Sequence, residues 1–298
     1  MRQVLVPAPQ RRVSLGLLLG FVGVAIFAGS LPATRMAVAG LEPAFVTAAR
    51  PALAGILAGL VLIMLRRPLP PKAMLGRLAV IALCLVFGFP GLTNFAMRHV
   101  GAAHGGVIIG VLPLATAVCG ALLLHERPPP AFWLSAVVGA GLVTAFALRG
   151  GGDGIGLGDV LIFAAVAICA VGYAVSGDLS RRMPGWEVVS WALVLSLPVS
   201  LPLTWATWPV TTADVPAASW IGLAYITLMS QYIGFFAWNT GLALGGVALV
   251  SQTQLLQPFL TLAIAAAVTH EDIDLATWCF AGAVVAVVLA GRRAARGR

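Results

Sequence analysis

With 60% hydrophobic and only 9% charged residues over 298 positions, and a mean hydropathy of +1.00, this chain has too few charges to cover the surface of a soluble domain. The net charge of +8 comes from short basic clusters between apolar runs. Such clusters are topology signals, and without a basic face no nucleic-acid partner is expected.

About 20 apolar residues cross the hydrocarbon core. On that measure the chain reads as an all-α integral membrane protein with ten transmembrane helices. In order they occupy 14–33, 43–65, 75–97, 103–124, 131–149, 157–179, 187–208, 217–238, 247–269 and 275–291. Arg11-Arg12 before the first run resembles the start of a secretory signal. That run exceeds a signal core and leads into nine more, so it is taken as a helix. With the N-terminus placed in the cytoplasm, fourteen basic residues fall inside and only Arg35, Arg98 and Arg149 outside, Arg50 lying within a span. Both termini are therefore expected to be cytoplasmic, in a cell inner (plasma) membrane.

The chain repeats itself. Its two asparagines, Asn94 and Asn239, are 145 residues apart. The same offset relates Gly40 to Gly185, Glu42 to Glu187, Pro113 to Pro258, Thr116 to Thr261, His125 to His270, Glu126 to Glu271 and Trp133 to Trp278. The expected units are a first five-helix repeat at 1–149, a Gly-rich connector at 150–156 and a second repeat at 157–298. An odd number of spans per unit turns the second copy over, giving two inverted five-helix repeats. This is a recurring plan of secondary transporters, whose site lies near the midplane.

The sequence resembles the EamA-type members of the drug/metabolite transporter superfamily over nearly its whole length. The resemblance rests on Ala48-Ala49-Arg50, on LPLATAVCGALLLHE at 112–126 and its counterpart QPFLTLAIAAAVTHE at 257–271, and on QYIGFFAWNTGLALGG at 231–246. Many members carry Trp before a Gly in the first helix, where this chain has Ala28-Gly29. The resemblance implies a ten-helix fold and export of small metabolites, amino acids or related zwitterions first.

Polar side chains within spans are costly and mark cavities or helix contacts. Along the chain these are Phe27 with Ser30, Arg50, Asn94, His104 at the start of the fourth span, and Tyr173 with Ser176. The eighth span places Tyr225, Met229, Tyr232, Phe236 and Asn239 on one α-helical face, with Gln231 beside it. The ninth carries Ser251, Gln254, Gln257 and Thr261, and Pro258 interrupts its backbone ladder. The first-copy positions matching Ser251, Gln254 and Gln257 are Gly106, Ile109 and Leu112, so the polar stripe belongs to the second copy alone. The expected substrate-binding set is Asn94, Tyr173, Gln231, Tyr232, Asn239, Ser251, Gln254 and Gln257. Interhelical hydrogen bonding is the plainer use of such groups. Arg50 either bonds helix-end carbonyls or Glu271, or draws carboxylate-bearing substrates. His104 is either a packing residue or a group that takes a proton near neutrality.

Cys84, Cys119, Cys169 and Cys279 lie apart inside apolar runs, and His125-Glu126 has no second His at helical spacing. No disulfide, metal or cofactor is expected. GlyLeuGlyAsp at 156–159 and ProAlaLeu at 51–53 echo intramembrane aspartyl proteases, but the first 152 residues contain no aspartate to complete a dyad. No Asp or Glu lies in the middle of any span, which disfavours exchange of lipophilic cations for protons. An exporter of drugs or lipophilic cations is the second expectation, and a non-catalytic membrane scaffold or receptor the third. The expected partners are a small-molecule substrate and the bilayer, with monomer and homodimer both open.

Overall fold

The computed structural model describes residues 10–123, 130–150, 155–180, 182–209, 211–245 and 251–296. Among these residues there are helices and no strands. Seven stretches are long and apolar enough to cross a membrane: Ser14–Gly40, Pro43–Met64, Lys72–Ala96, Ala102–Gly120, Leu157–Leu179, Gly185–Ala206 and Ala217–Trp238. Three shorter apolar helices, Val137–Phe146, Gln257–Val268 and Leu275–Val287, fall in the fifth, ninth and tenth expected segments. Across the long and short helices alike, Ile63, Met64, Val137, Trp205 and Leu275 are exposed. A belt of large apolar side chains of this kind needs lipid beside it. The chain is a multi-pass membrane protein.

The first stretch is longer than its sequence suggests and is broken. Helix α1 (Gln10–Ala28) and α2 (Ser30–Gly40) meet at Gly29. Side chains from far along the chain bond the carbonyls there: the Tyr225 hydroxyl donates to Ile26 O at 2.9 Å and Thr261 Oγ1 to Ala28 O at 3.1 Å. A Cβ on residue 29 would press on the Tyr225 hydroxyl, so a larger residue would have to displace that side chain from its bond to Ile26 O.

Helix α3 (Pro43–Met64) is followed by α4 (Lys72–Ile81), a π-helix at Ala82–Gly88, and α5 (Phe89–Ala96). Next come α6 (Ala102–Ile109), α7 (Leu112–Leu123) and α8 (Pro130–Gly150). The second half runs α9 (Leu157–Leu179), α10 (Gly185–Ala206), α11 (Ala217–Ala224), a π-helix at Tyr225–Ile233, and α12 (Gly234–Gly245). It ends in a 3₁₀ turn at Ser251–Leu256, α13 (Gln257–Val268) and α14 (Leu275–Arg296).

The 145-residue offset carries over to these elements. It maps the starts of α4, α5, α7 and α8 onto those of α11, α12, α13 and α14, and one π-helix onto the other. Each π-helix ends beside a glycine, where a Cβ would press on the carbonyl five residues back: 2.7 Å from Leu83 O at Gly88, and 2.9 Å from Met229 O at Gly234. Glycine at these positions leaves room for the wider i→i+5 turn.

Matching helices pack against each other in opposite directions. Arg67, just beyond α3, pairs with Glu187 at the start of α10 (3.3 Å), while Phe45 near the start of α3 meets Trp208 just beyond α10 (5.4 Å). Arg149 at the end of α8 pairs with Asp274 before α14. The Glu271 carboxylate, beyond the end of α13, accepts the Ala102 and Ala103 N–H groups that open α6, at 2.8 and 2.9 Å. Helices α1 and α12 come closest through glycines; a Cβ on Gly241 would lie 2.7 Å from Gly20 N. Small residues drive helix contact where lipid removes the hydrophobic difference.

Candidate substrate-binding site

Between the two halves lies a cavity of about 80 Å³, several times the space one water needs. Three pairs of equivalent residues line it: Leu85 with Ser230, Ile109 with Gln254, and Leu112 with Gln257. In each pair the first copy supplies an aliphatic side chain and the second a polar one. Phe27, Phe89 and Phe235 extend the apolar lining, and Arg50, Gln231, Thr261 and Tyr173 extend the polar one.

Arg50 is the one charged residue among the lining residues. It is 5% exposed, and its Nη2 donates to Ser230 Oγ at 3.2 Å. Among the described residues its Nε has no partner, and no carboxylate lies in ion-pair range. It bonds neither a helix-end carbonyl nor Glu271, both weighed from the sequence. Glu271 is instead held 3.3 Å from Arg35 Nε and by the start of α6. Ser230 also meets Ser30 Oγ at 2.7 Å, which ties the break at Gly29 to the second π-helix.

Of the residues expected from sequence, Tyr173, Gln231, Gln254 and Gln257 come together at this cavity with Arg50. Tyr232 does not. Its ring stands edge-on to Phe236 at 4.7 Å, in a separate core with Trp191 and Leu193. The α-helical face drawn through Tyr225, Tyr232 and Phe236 fails because the π-helix turns more residues per turn, and it brings Ser230, Gln231 and Phe235 inward instead. Asn94 is fully buried outside the lining, its amide donating to Thr47 Oγ1 at 2.9 Å. The side chains of Asn239 and Ser251 lie outside the described residues.

Phe27 and Ser30 line the cavity, and Ser176 does not. Ser230, Thr34 and Thr93 are polar lining residues that the sequence does not single out. For Ser230 a signal exists, its match to Leu85 at the repeat offset.

His104 lines a second, more open space of about 240 Å³ near the helix ends, with Arg35, Glu271 and Asp272. Its Nε2 lies 2.6 Å from Asp159 Oδ1, and its ring packs on Phe146 at 4.8 Å. The other Asp159 oxygen accepts Gly156 N–H at 3.0 Å and caps α9. The aspartate of the GlyLeuGlyAsp motif is thus engaged in capping and pairing. Among the described residues no group of His, Cys, Asp and Glu is placed to hold a metal.

The sequence profile of the EamA-like transporter family matches residues 14–146 and again 156–290. The chain belongs to the EamA-like transporter family. Relatives of this EamA-like chain carry transporter names, not enzyme names. It is 48% identical to the uncharacterized transporter YdeK of Bacillus subtilis, over 93% of this chain and 96% of that one. It is 28% identical to the aromatic amino acid exporter YddG of Ancylobacter novellus, over 80% and 83% of the two chains. It is also 28% identical to a probable terminal-alkyne amino-acid exporter of Streptantibioticus cattleyicolor, over 81% of each. A crystal structure 21% identical in sequence superposes with a TM-score of 0.65, covering 95% of this chain and 98% of that one, and shares its fold.

Proposed function

We propose that this EamA-like protein is a secondary transporter that exports small organic metabolites, amino acids or related zwitterions first, by alternating access. Ten membrane-crossing helices form two inverted five-helix repeats, 1–149 and 157–298, joined by the Gly-rich connector 150–156. Both termini face the cytoplasm from the inner membrane. The antiparallel packing of α3 on α10 and α8 on α14 supports the inversion, because an odd number of crossings reverses each equivalent helix.

One observation carries the reading: three pairs of equivalent positions line one central cavity, aliphatic in the first copy and polar in the second. A cavity where two repeats meet changes access when they exchange shapes. Its unequal walls suit a solute with a polar head and an apolar body. Tyr173, Gln231, Gln254 and Gln257 contact the head, joined by Asn239 and Ser251 of the same helical stretches. The exporter names of two relatives point to the same solute class.

Export of lipophilic cations fits less well. The lining residues include a buried guanidinium and no carboxylate, the reverse of what a cation needs. The test is efflux from proteoliposomes loaded with a panel of amino acids and lipophilic cations. Release of cations without release of any amino acid overturns the substrate class, and release of neither overturns the transporter reading.

A further inference from the structure

The walls of the cavity leave one charge unanswered. Five other arginines, Arg35, Arg67, Arg77, Arg98 and Arg149, each have a carboxylate in ion-pair range, and each stands at least 40% exposed in its side chain. Arg50 reverses both conditions. Among the described residues it is buried, it bonds only the neutral Ser230 hydroxyl, and its Nε is unpartnered. A cation taken out of water is costly unless a counter-charge comes with it.

The repeat does not share an arginine at this position. The equivalent residue of the second copy is Leu195, which faces outward on α10. Nor is Arg50 placed to hold the helices by a salt bridge, since no described carboxylate reaches it. What it adds is a guanidinium with one N–H edge open, Nε without a partner beside an Nη2 that bonds only a hydroxyl, lining a cavity with room for several waters. A guanidinium presents such an edge to carboxylates as a fork, in a geometry that takes both oxygens.

We propose that Arg50 is the carboxylate receptor of the transported solute, supplying the counter-charge that admits an organic carboxylate and excludes amines lacking one. The apolar body of the solute lies against Phe27, Phe89, Ile109 and Leu112. An α-amino group, where present, meets only neutral acceptors such as the Gln254 and Gln257 amide oxygens. Recognition therefore rests on the carboxylate and tolerates loss of the amine. This rests on reading the cavity as the transport site.

Three probes of one shape separate the groups: phenylalanine, 3-phenylpropionate without the amine, and phenylalaninamide without the carboxylate. Wild-type protein in proteoliposomes is expected to carry the first two and discriminate against the third. Arg50→Gln is expected to weaken apparent affinity for the two carboxylates at least about tenfold, the worth of a charge-assisted contact, and to leave the amide unaffected or improved. Arg50→Lys keeps the charge without the fork. It is expected to retain the carboxylate preference at reduced affinity, and it serves as the decisive variant if Arg50→Gln does not fold. Wild-type transport of the amide as readily as phenylalanine overturns the proposal. So does an equal loss for all probes in the folded variant, which marks Arg50 as a structural residue. Wild-type transport of lipophilic cations and none of the three probes overturns the substrate class itself, and the role of Arg50 falls with it. Carboxylate transport indifferent to Arg50 leaves the transporter reading standing and removes only this one.

Discussion

Ser30 and Ser230 meet hydroxyl to hydroxyl at 2.7 Å, joining the broken first helix of one copy to the π-helix of the other. Ser230 also accepts the Arg50 Nη2 proton at 3.2 Å. Ser230→Ala removes both contacts and strands a buried guanidinium, and it should cost about 1–3 kcal/mol of stability. Ser30→Ala keeps the Arg50 bond and should cost about 0.5–1.5 kcal/mol. Thermal unfolding in detergent ranks the two; equal losses would mean that the Arg50 contact contributes nothing.

Gln254→Leu and Gln257→Leu each remove a donor and an acceptor from the polar wall at roughly constant volume. Apparent substrate affinity should weaken by about 1–3 kcal/mol in transport assays, since the polar group that each amide served is left unsatisfied. Ile109→Val and Leu112→Met, at the equivalent first-copy positions, should alter packing by less than about 1.5 kcal/mol and leave affinity near wild type. Loss of transport in all four, with protein level falling in step, would make the amides interhelical ties.

Two glycines give opposite expectations. A Cβ on Gly222 would lie 2.5 Å from Ala33 O and 2.8 Å from Ala37 N, and backbone cannot retreat as a side chain can. Gly222→Ala should lower stability by about 1–3 kcal/mol by forcing α11 from α2. Gly177 has open space around it. Gly177→Ala should be neutral or stabilise by about 0.5–1 kcal/mol, from its greater helix preference. Melting temperatures that moved together would contradict the close α2–α11 contact.

Outside the membrane segments, the Arg149 side chain, with smaller help from the Thr277 hydroxyl and N–H, holds the Asp274 carboxyl well below the usual carboxylate range. A depressed folded value stabilises the fold above the unfolded value and is lost as pH falls toward the folded one. The stability difference between wild type and Asp274→Asn should thus be constant from about pH 5 to 8 and shrink below about pH 4. Unfolding scans across that range check it. A difference that grew in acid would mean that the carboxylate is not held ionised.

Topology has a direct test. In a background lacking Cys84, Cys119, Cys169 and Cys279, a cysteine replacing Lys72 should resist an impermeant thiol reagent added outside. One replacing Asp153, in the connector beyond the described residues, should react. Outside labelling at position 72 would reverse the orientation.

The repeat was legible because asparagine, histidine and glutamate are too scarce here to align by accident at one offset. The glutamine stripe was legible because it breaks that repeat, and asymmetry between copies stands out where an isolated amide does not. Tyr232 was misplaced because α-helical spacing was carried through Tyr225–Ile233, where the backbone is π-helical. A Cβ on Gly234 would crowd the Met229 carbonyl, and a glycine in an apolar run announces no such contact. Gly29 was likewise silent. Its break is held by Tyr225 and Thr261, about two hundred residues away, and only packing reveals them.

Two identical halves exchanging shapes would populate their inward-facing and outward-facing forms equally. Here the halves set Leu85, Ile109 and Leu112 against Ser230, Gln254 and Gln257. Wetting an aliphatic side chain forfeits about 1.5–3 kcal/mol when its burial is complete, whereas water can replace the partners of an amide or hydroxyl. On the proposed alternating-access reading, a form that keeps Leu85, Ile109 and Leu112 dry is favoured over one that wets them. On that reading the two forms differ in energy through these side chains, before any gradient acts on the chain.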